Sequence, residues 1–167
     1  MAGSVGGAVN PVSAIAADAV VWAAWGTAVG YVAARTPDAR FAHDTWLTRI
    51  RAWERDGRTW ERLGVRRWKT VVPELGALFG GRSKRRLPSR DRDGLAQLAL
   101  ETRRAETVHW AVPLALGVMP IWSPAWVTAV MAAYAVAANA PCIVIQRYNR
   151  ARARRLLDGR PVTRRKP

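Results

Sequence analysis

The order of apolar and polar positions divides the chain into blocks. Residues 11–34, PVSAIAADAVVWAAWGTAVGYVAA, carry one charge, Asp18, across 24 positions. At ~20 residues per bilayer crossing that run is long enough to span, and it predicts a transmembrane helix over residues 9–34. A cleaved signal peptide is the competing reading. Such a leader usually opens on basic residues, and residues 1–10 hold none, so a retained helix is expected. A second apolar run, residues 105–146, has 42 positions and is interrupted by Pro120, Ser123 and Pro124. Proline is tolerated where a helix starts and disruptive in its interior. The run therefore predicts a helical hairpin with arms 105–122 and 124–146 and PIWSPAW as its turn. Trp110 at one end and Trp122 and Trp126 at the turn match the aromatic belts of membrane interfaces.

Between these runs, residues 38–104 interleave charge with Trp46, Trp53, Trp60 and Trp68, at spacings of seven, seven and eight. Those spacings put the indoles on one stripe of a helix, so an amphipathic helix lying in the membrane interface is expected. Pro73 and Gly76 mark a loop, followed by the basic stretch GGRSKRR at 80–86. The fold class that emerges is an all-α integral membrane protein of 167 residues in one domain, with about three transmembrane helices and a basic tail at 147–167.

Charge sets the orientation. The 27 Lys and Arg against 12 Asp and Glu give a net charge of +15, and the basic residues fall only in 35–104, with 18, and 147–167, with 9. The positive-inside rule places both segments in the cytoplasm and the N-terminus and the PIWSP turn outside, as a multi-pass cell-membrane protein. That bias accounts for much of the positive excess. With no zinc-finger, helix-turn-helix or RNA-binding signature present, no nucleic-acid partner is expected. A soluble bundle is disfavoured, because a chain of this size leaves too little sequence to cover 42 nearly continuous apolar residues. The one cysteine, Cys142, excludes an internal disulfide, and no metal-ligand spacing accompanies it.

The candidate chemistry sits at the ends of the hairpin. In ETRRAETVHW, residues 101–110, a continuous helix puts Glu106 and His109 at i and i+3 on one face, with Glu101 about 80° away. A carboxylate there can hold the imidazole's tautomer and raise its basicity. In NAPCIVIQRYNRAR, residues 139–152, Asn139, Gln146, Arg147 and Arg150 recur along related turns with Asn149 beside them, and Pro141 is expected to kink the helix. Antiparallel arms return the start of one and the end of the other to the same membrane face. Anchoring alone needs basic residues, not His, Glu, Asn and Gln together, so the convergence marks a site.

These two strings also carry a resemblance. ETRRAETVHW followed by NAPCIVIQRYNRAR resembles the small membrane acyltransferases of glycosyl-4,4'-diaponeurosporenoate acyltransferase type, with supporting similarity in RTPDARF, WERDGRTWERLGVRRWK and PELGALF, over roughly residues 20–157. The chain departs from that pattern at Thr70, where an acidic residue is expected. The resemblance implies transfer of a fatty acyl group from a thioester donor, acyl-CoA or an acyl-carrier protein, to a hydroxyl of a glycosylated lipid such as a carotenoid glycoside. No cofactor and no metal are implied beyond that co-substrate.

Acyl transfer needs a base, oxyanion donors and a groove for the chain. On this reading His109 is the base, oriented by Glu106 or Glu101, and Asn139, Gln146, Arg147, Asn149, Arg150 and Arg103 contact the substrate. Arg66, Arg67, Lys69, Arg82 and Lys84 are the candidates for the donor's phosphates. His43 is expected to be a surface residue. The rival reading is a non-enzymatic scaffold bound to anionic lipid.

Overall fold

A computed structural model describes residues 10–70 and 91–159, which are helices, turns and connecting segments with no strand among them. Helix α1 (Pro11–Arg35) starts where Asn10 caps it, accepting a hydrogen bond from the Val12 N–H at 2.9 Å. Pro11 at the first helical position lacks an N–H that the helix would leave unpaired anyway. It ends at Thr36, which is extended and precedes Pro37, a residue that disfavours helix before it. The long C-terminal helix, labelled α5 below, covers Ala125–Leu157. These are the two helices among the described residues long and apolar enough to cross a membrane. Only 11% and 17% of their most apolar stretches are buried within the protein, which leaves Val12, Val20, Val32, Val130 and Val136 facing outward.

The hairpin is present, but its first arm differs from the expected helix. Residues 92–111 form α4 (Arg92–Ala111), capped by Asp91, whose side chain accepts from the Gly94 N–H at 2.8 Å. Beyond Ala111 the chain winds as 3-10 helix over Val112–Gly117 and Met119–Ile121. Pro113 and Pro120 each stand in the first turn of one of these pieces, where proline's missing N–H costs least and where it takes away a donor that a continuing α-helix would use. Among the described residues no third helix long and apolar enough to cross a membrane is therefore seen. By contrast α5 runs through Pro141 without a break.

The tryptophan stripe is also broken up. In place of one amphipathic helix, residues 52–57 form a 3-10 turn, followed by α2 (Arg58–Arg62) and α3 (Val65–Trp68). Arg55, Asp56 and Gly57 are all left-handed, with φ of 49°, 54° and 88°, and Gly64 is left-handed again at 71°. Four left-handed residues cannot sit in a right-handed helix, and no heptad count reveals them. Trp46 and Trp53 are nonetheless exposed, and Trp53 meets Trp60 edge to face at 5.2 Å between ring centroids.

Three cross-links set the order of the bundle. Asp18 of α1 accepts hydrogen bonds from Trp122 Nε1 and Ser123 Oγ at 2.8 Å; Trp25 Nε1 donates to the Ala111 carbonyl at 3.0 Å; Arg104 reaches back to Asp38 and the Thr36 carbonyl. Residue numbers thus rise along α1 as they fall along the 91–123 arm, so the two are antiparallel. Trp22 packs on Tyr134 of α5, which descends alongside α1. Asp18 is fully buried, and its hydrogen bonds satisfy a carboxyl that would otherwise be costly in an apolar helix.

Candidate functional site

Where α4 and α5 cross below the turn, the half-buried His109 meets the buried Asn139, with Nδ1 3.0 Å from Asn139 Oδ1. The orientation of the amide is set by its other end, which donates from Nδ2 to the Ala135 carbonyl at 2.9 Å, one turn earlier on the same helix. Oδ1 is then an acceptor, so His109 Nδ1 donates, and in the neutral ring the lone pair then lies on Nε2. The ring is thus held in the tautomer a general base needs. Beside it, Trp110 is 42% exposed and its indole N–H points at Glu106 Oε1, 3.4 Å away.

About two to four turns further along α5, a buried ionic network joins the hairpin to the segment after α1. Arg147 forks onto Glu54 through Nε at 3.0 Å and Nη2 at 2.6 Å, reaches Glu106 through Nη1 at 2.5 Å, and donates to the carbonyls of Leu47 and Arg49. Arg150 donates to the other Glu106 oxygen at 2.6 Å and to the Thr48 carbonyl. Asp44 is held by Arg103 at 2.6 Å and by Arg154. Glu54, Glu106 and Arg150 are fully enclosed, and three carboxylates face four guanidiniums. Arg150 Nε and Nη1 keep unused donor capacity among the described residues.

These contacts fix the two carboxylates outside the spans. Burial by itself would raise Glu54, but the Arg147 hydrogen bonds, the Arg51 N–H and the Trp60 indole outweigh it and hold its carboxyl below the usual value. Burial likewise opposes Asp44, and the hydrogen bonds and charges of Arg103 and Arg154 bring it down.

The expected site residues therefore separate into groups. His109 and Asn139 come together directly. Glu106, expected to orient His109, instead spends both oxygens on Arg147, Arg150 and Trp110, because two guanidiniums from a turn of α5 outcompete an imidazole on its own helix. Glu101 pairs with Arg104 at 3.0 Å and accepts from Gln97. Arg147 and Arg103 are engaged within the protein, so the sugar or oxyanion contact expected of them is not what the geometry offers. Gln146 is buried beside the network, and Asn149 accepts from Lys69 Nζ at 3.3 Å. Among the donor-phosphate candidates Arg66 and Arg67 are exposed, Lys69 lies over the Tyr148 ring at 5.2 Å, and Arg82 and Lys84 fall outside the described residues, as does the GGRSKRR stretch. His43 is exposed, as expected. Asp44 and Glu54 were missed. Each stands among arginines in a charged segment, and nothing local distinguishes a buried counter-ion from a solvated one.

Over residues 43–159 the chain matches the family described as Glycosyl-4,4'-diaponeurosporenoate acyltransferase. It is 34% identical to the protein of that name from Staphylococcus haemolyticus (strain JCSC1435), over 78% of this chain and 77% of the relative. The namesake from Staphylococcus aureus (strain USA300) is 30% identical, over 74% and 75%. No solved structure matches. The matched region contains the His109–Asn139 pair and the whole ionic network.

Proposed function

The chain belongs to the glycosyl-4,4'-diaponeurosporenoate acyltransferase family, and we propose that it moves a fatty acyl group from a thioester donor to a hydroxyl of a carotenoid glycoside or a similar glycosylated lipid. The observation that carries this reading is the His109–Asn139 pair. Nε2 of His109 takes the proton of the acceptor hydroxyl as its oxygen attacks the thioester carbonyl. The C–S bond then breaks, and the proton passes from His109 to the leaving thiolate, so the histidine ends as it began. Asn139 is the positioning residue.

The membrane setting supports the same chemistry. Asn139 lies seven residues before Gln146, where the apolar part of α5 ends, which is about 10 Å beneath that boundary at 1.5 Å per residue. At that depth the pair meets the tail-proximal part of an amphiphile, so the acceptor's sugar hydroxyl is drawn in from the surface to reach His109. We assign α1 and α5 as crossings, with basic segments cytoplasmic and the N-terminus outside. The arm between them also crosses: it runs beside α1 from Thr36, met by Arg104, back to Asp18, met by Trp122 and Ser123, a length of about 27 Å of α1 at 1.5 Å per residue, close to a ~30 Å hydrocarbon core.

The test is transfer in isolated membranes. Labelled acyl-CoA and acyl-carrier protein are each supplied with a glycosylated carotenoid, and the product is identified by mass. An acyl ester on the sugar supports the reading; no ester from either donor overturns it.

A further inference from the structure

The acyl-transfer site makes no use of the tryptophans between α1 and α4, and the fold leaves two of them strongly exposed at a defined depth. Residues 47–57 form a strap along one side of α5. The carbonyls of Leu47 and Arg49 and the Glu54 carboxylate accept from Arg147, and the Thr48 carbonyl accepts from Arg150. At the end of the strap Gly57 packs so closely that a Cβ there would lie 3.0 Å from Ala151 Cβ. Arg147 follows Gln146, where the apolar part of α5 ends. From Gln146 to Ala151 the helix advances about 7.5 Å at 1.5 Å per residue. One headgroup layer, half the difference between a ~30 Å hydrocarbon core and a bilayer of about 40–45 Å, is about 5–7.5 Å deep. With α5 assigned as a crossing, on which this inference rests, the strap meets the helix at the level of the lipid headgroups.

Two kinds of side chain leave the chain at that level. Trp46 and Trp53, each next to a residue held by Arg147, are 75% and 58% exposed. Neither indole is loose. Arg51 lies over the Trp46 ring at 5.2 Å and donates to the Trp46 carbonyl at 2.7 Å, while Trp53 stands edge to face on Trp60, whose indole N–H donates to Glu54. Between Thr45 and Thr70 the exposed charges are Arg49, Arg55, Arg58, Arg62, Arg66 and Arg67 against the one carboxylate of Asp56. Ordered indoles among an excess of arginines suit a surface that is apolar beneath and anionic at its rim. Depth decides between a bilayer and an acidic protein, because indoles rooted at the headgroup level meet lipid before any cytosolic partner. We infer that residues 46–67 clamp the cytoplasmic leaflet, with Trp46 and Trp53 seated among the lipid glycerol groups and the exposed arginines on the phosphates of anionic phospholipid. Glu54 belongs to the same strap, so lipid bound there stabilises the folded ionic network.

Full-length Cys142→Ala protein carrying one nitroxide at Ala52→Cys, an exposed position beside Trp53, is placed in phosphatidylcholine nanodiscs with phosphatidylglycerol. The label is expected to meet oxygen, which concentrates in lipid, more often than a water-soluble nickel chelate, and Trp46→Ser/Trp53→Ser should reverse that preference. A label at Asp158→Cys, about 10 Å beyond Ala151 along the helix, favours the chelate throughout. In the unlabelled protein, phosphatidylglycerol should raise the unfolding temperature over phosphatidylcholine alone by at least about 5 °C at low salt. That gain fades toward about 0.5 M NaCl and is absent from Arg58→Gln/Arg62→Gln/Arg66→Gln. Arg92→Gln, exposed at the far end of α4 from Glu106, keeps it. A label at position 52 as open to the chelate as one at 158 overturns the inference, and so does a phosphatidylglycerol gain that survives the triple variant. A gain that comes from an added acidic carrier protein and not from the lipid overturns it in favour of a protein partner. Neither readout contains an acyl donor or acceptor, so the acyl-transfer reading and this inference fail independently.

Discussion

At the scale of single residues, what distinguishes Asn139 is that both ends of its amide are committed. Its N–H₂ serves the Ala135 carbonyl and its oxygen serves His109 Nδ1, so replacing it alters the imidazole rather than a substrate contact. Asn139→Leu removes the acceptor, releases the ring to the other tautomer, and is expected to lower kcat about a hundredfold with little change in KM. Asn139→Asp places a carboxylate against the imidazolium and stabilises it, so more alkali is needed to obtain the neutral base. The acid limb of the pH–rate profile should then move to higher pH, a shift that a merely structural role for Asn139 would not produce. Glu106 predicts the opposite kind of defect. Glu106→Gln leaves Arg147 and Arg150 buried with one carboxylate fewer, an uncompensated charge that costs about 3–5 kcal/mol. It should show as a lower unfolding temperature and poor yield in detergent, with a near-normal KM in whatever protein survives. The sequence placed His109, Asn139, Glu106, Arg147 and Arg150 in one region, because the two arms of a hairpin must return together. Which of them pair was not legible: Glu106 is three residues from His109 in the chain, but its partners are 41 and 44 residues away.

At the scale of elements, the segment between α1 and α4 is clamped by its carboxylates, and the clamp is sensitive to acid. Asp44 and Glu54 are both depressed relative to their ordinary values of 3.8 and 4.5. Groups with lowered folded pKa contribute stability that is complete above the unfolded value and is lost as the pH falls through the folded one. The unfolding temperature in detergent is therefore expected to stay level from neutral pH down to about 4.5 and to decline below it. Glu54→Gln should begin less stable and decline less steeply over the same acid range. This segment is also where the periodicity misled. Tryptophans at spacings near seven satisfy a helix on paper, but Gly57 and Gly64 allow left-handed turns that fold the stripe back against α5. A similar misjudgement befell the 105–122 arm, where Pro113 and Pro120 favour 3-10 turns over the straight helix that its apolar composition suggests.

At the scale of the whole molecule, the assembly is two apolar helices and a bent arm carrying a polar end. The apolar ends needed only composition to be seen, since lipid-facing surface is read residue by residue. The polar end is built from contacts over 40 to 110 residues of separation, such as Arg154 with Asp44, and those arise only when the elements dock. The proposed orientation has a direct consequence for labelling. With Cys142 replaced by alanine and single cysteines placed at Asn10 or Asp158, a membrane-impermeant maleimide added to intact cells should modify position 10 and leave position 158 unlabelled until the membrane is opened. Labelling of both, or of position 158 alone, would require the basic segments to lie outside.

The most direct measurement is transfer of a labelled acyl group to a glycosylated carotenoid by membranes holding equal amounts of wild-type protein or His109→Gln. Glutamine keeps a hydrogen bond within reach of Asn139 but has no basic nitrogen, so the variant should accumulate normally and lose about a hundredfold or more in rate. Equal rates from the two proteins would contradict the account, because no base at His109 would then be needed.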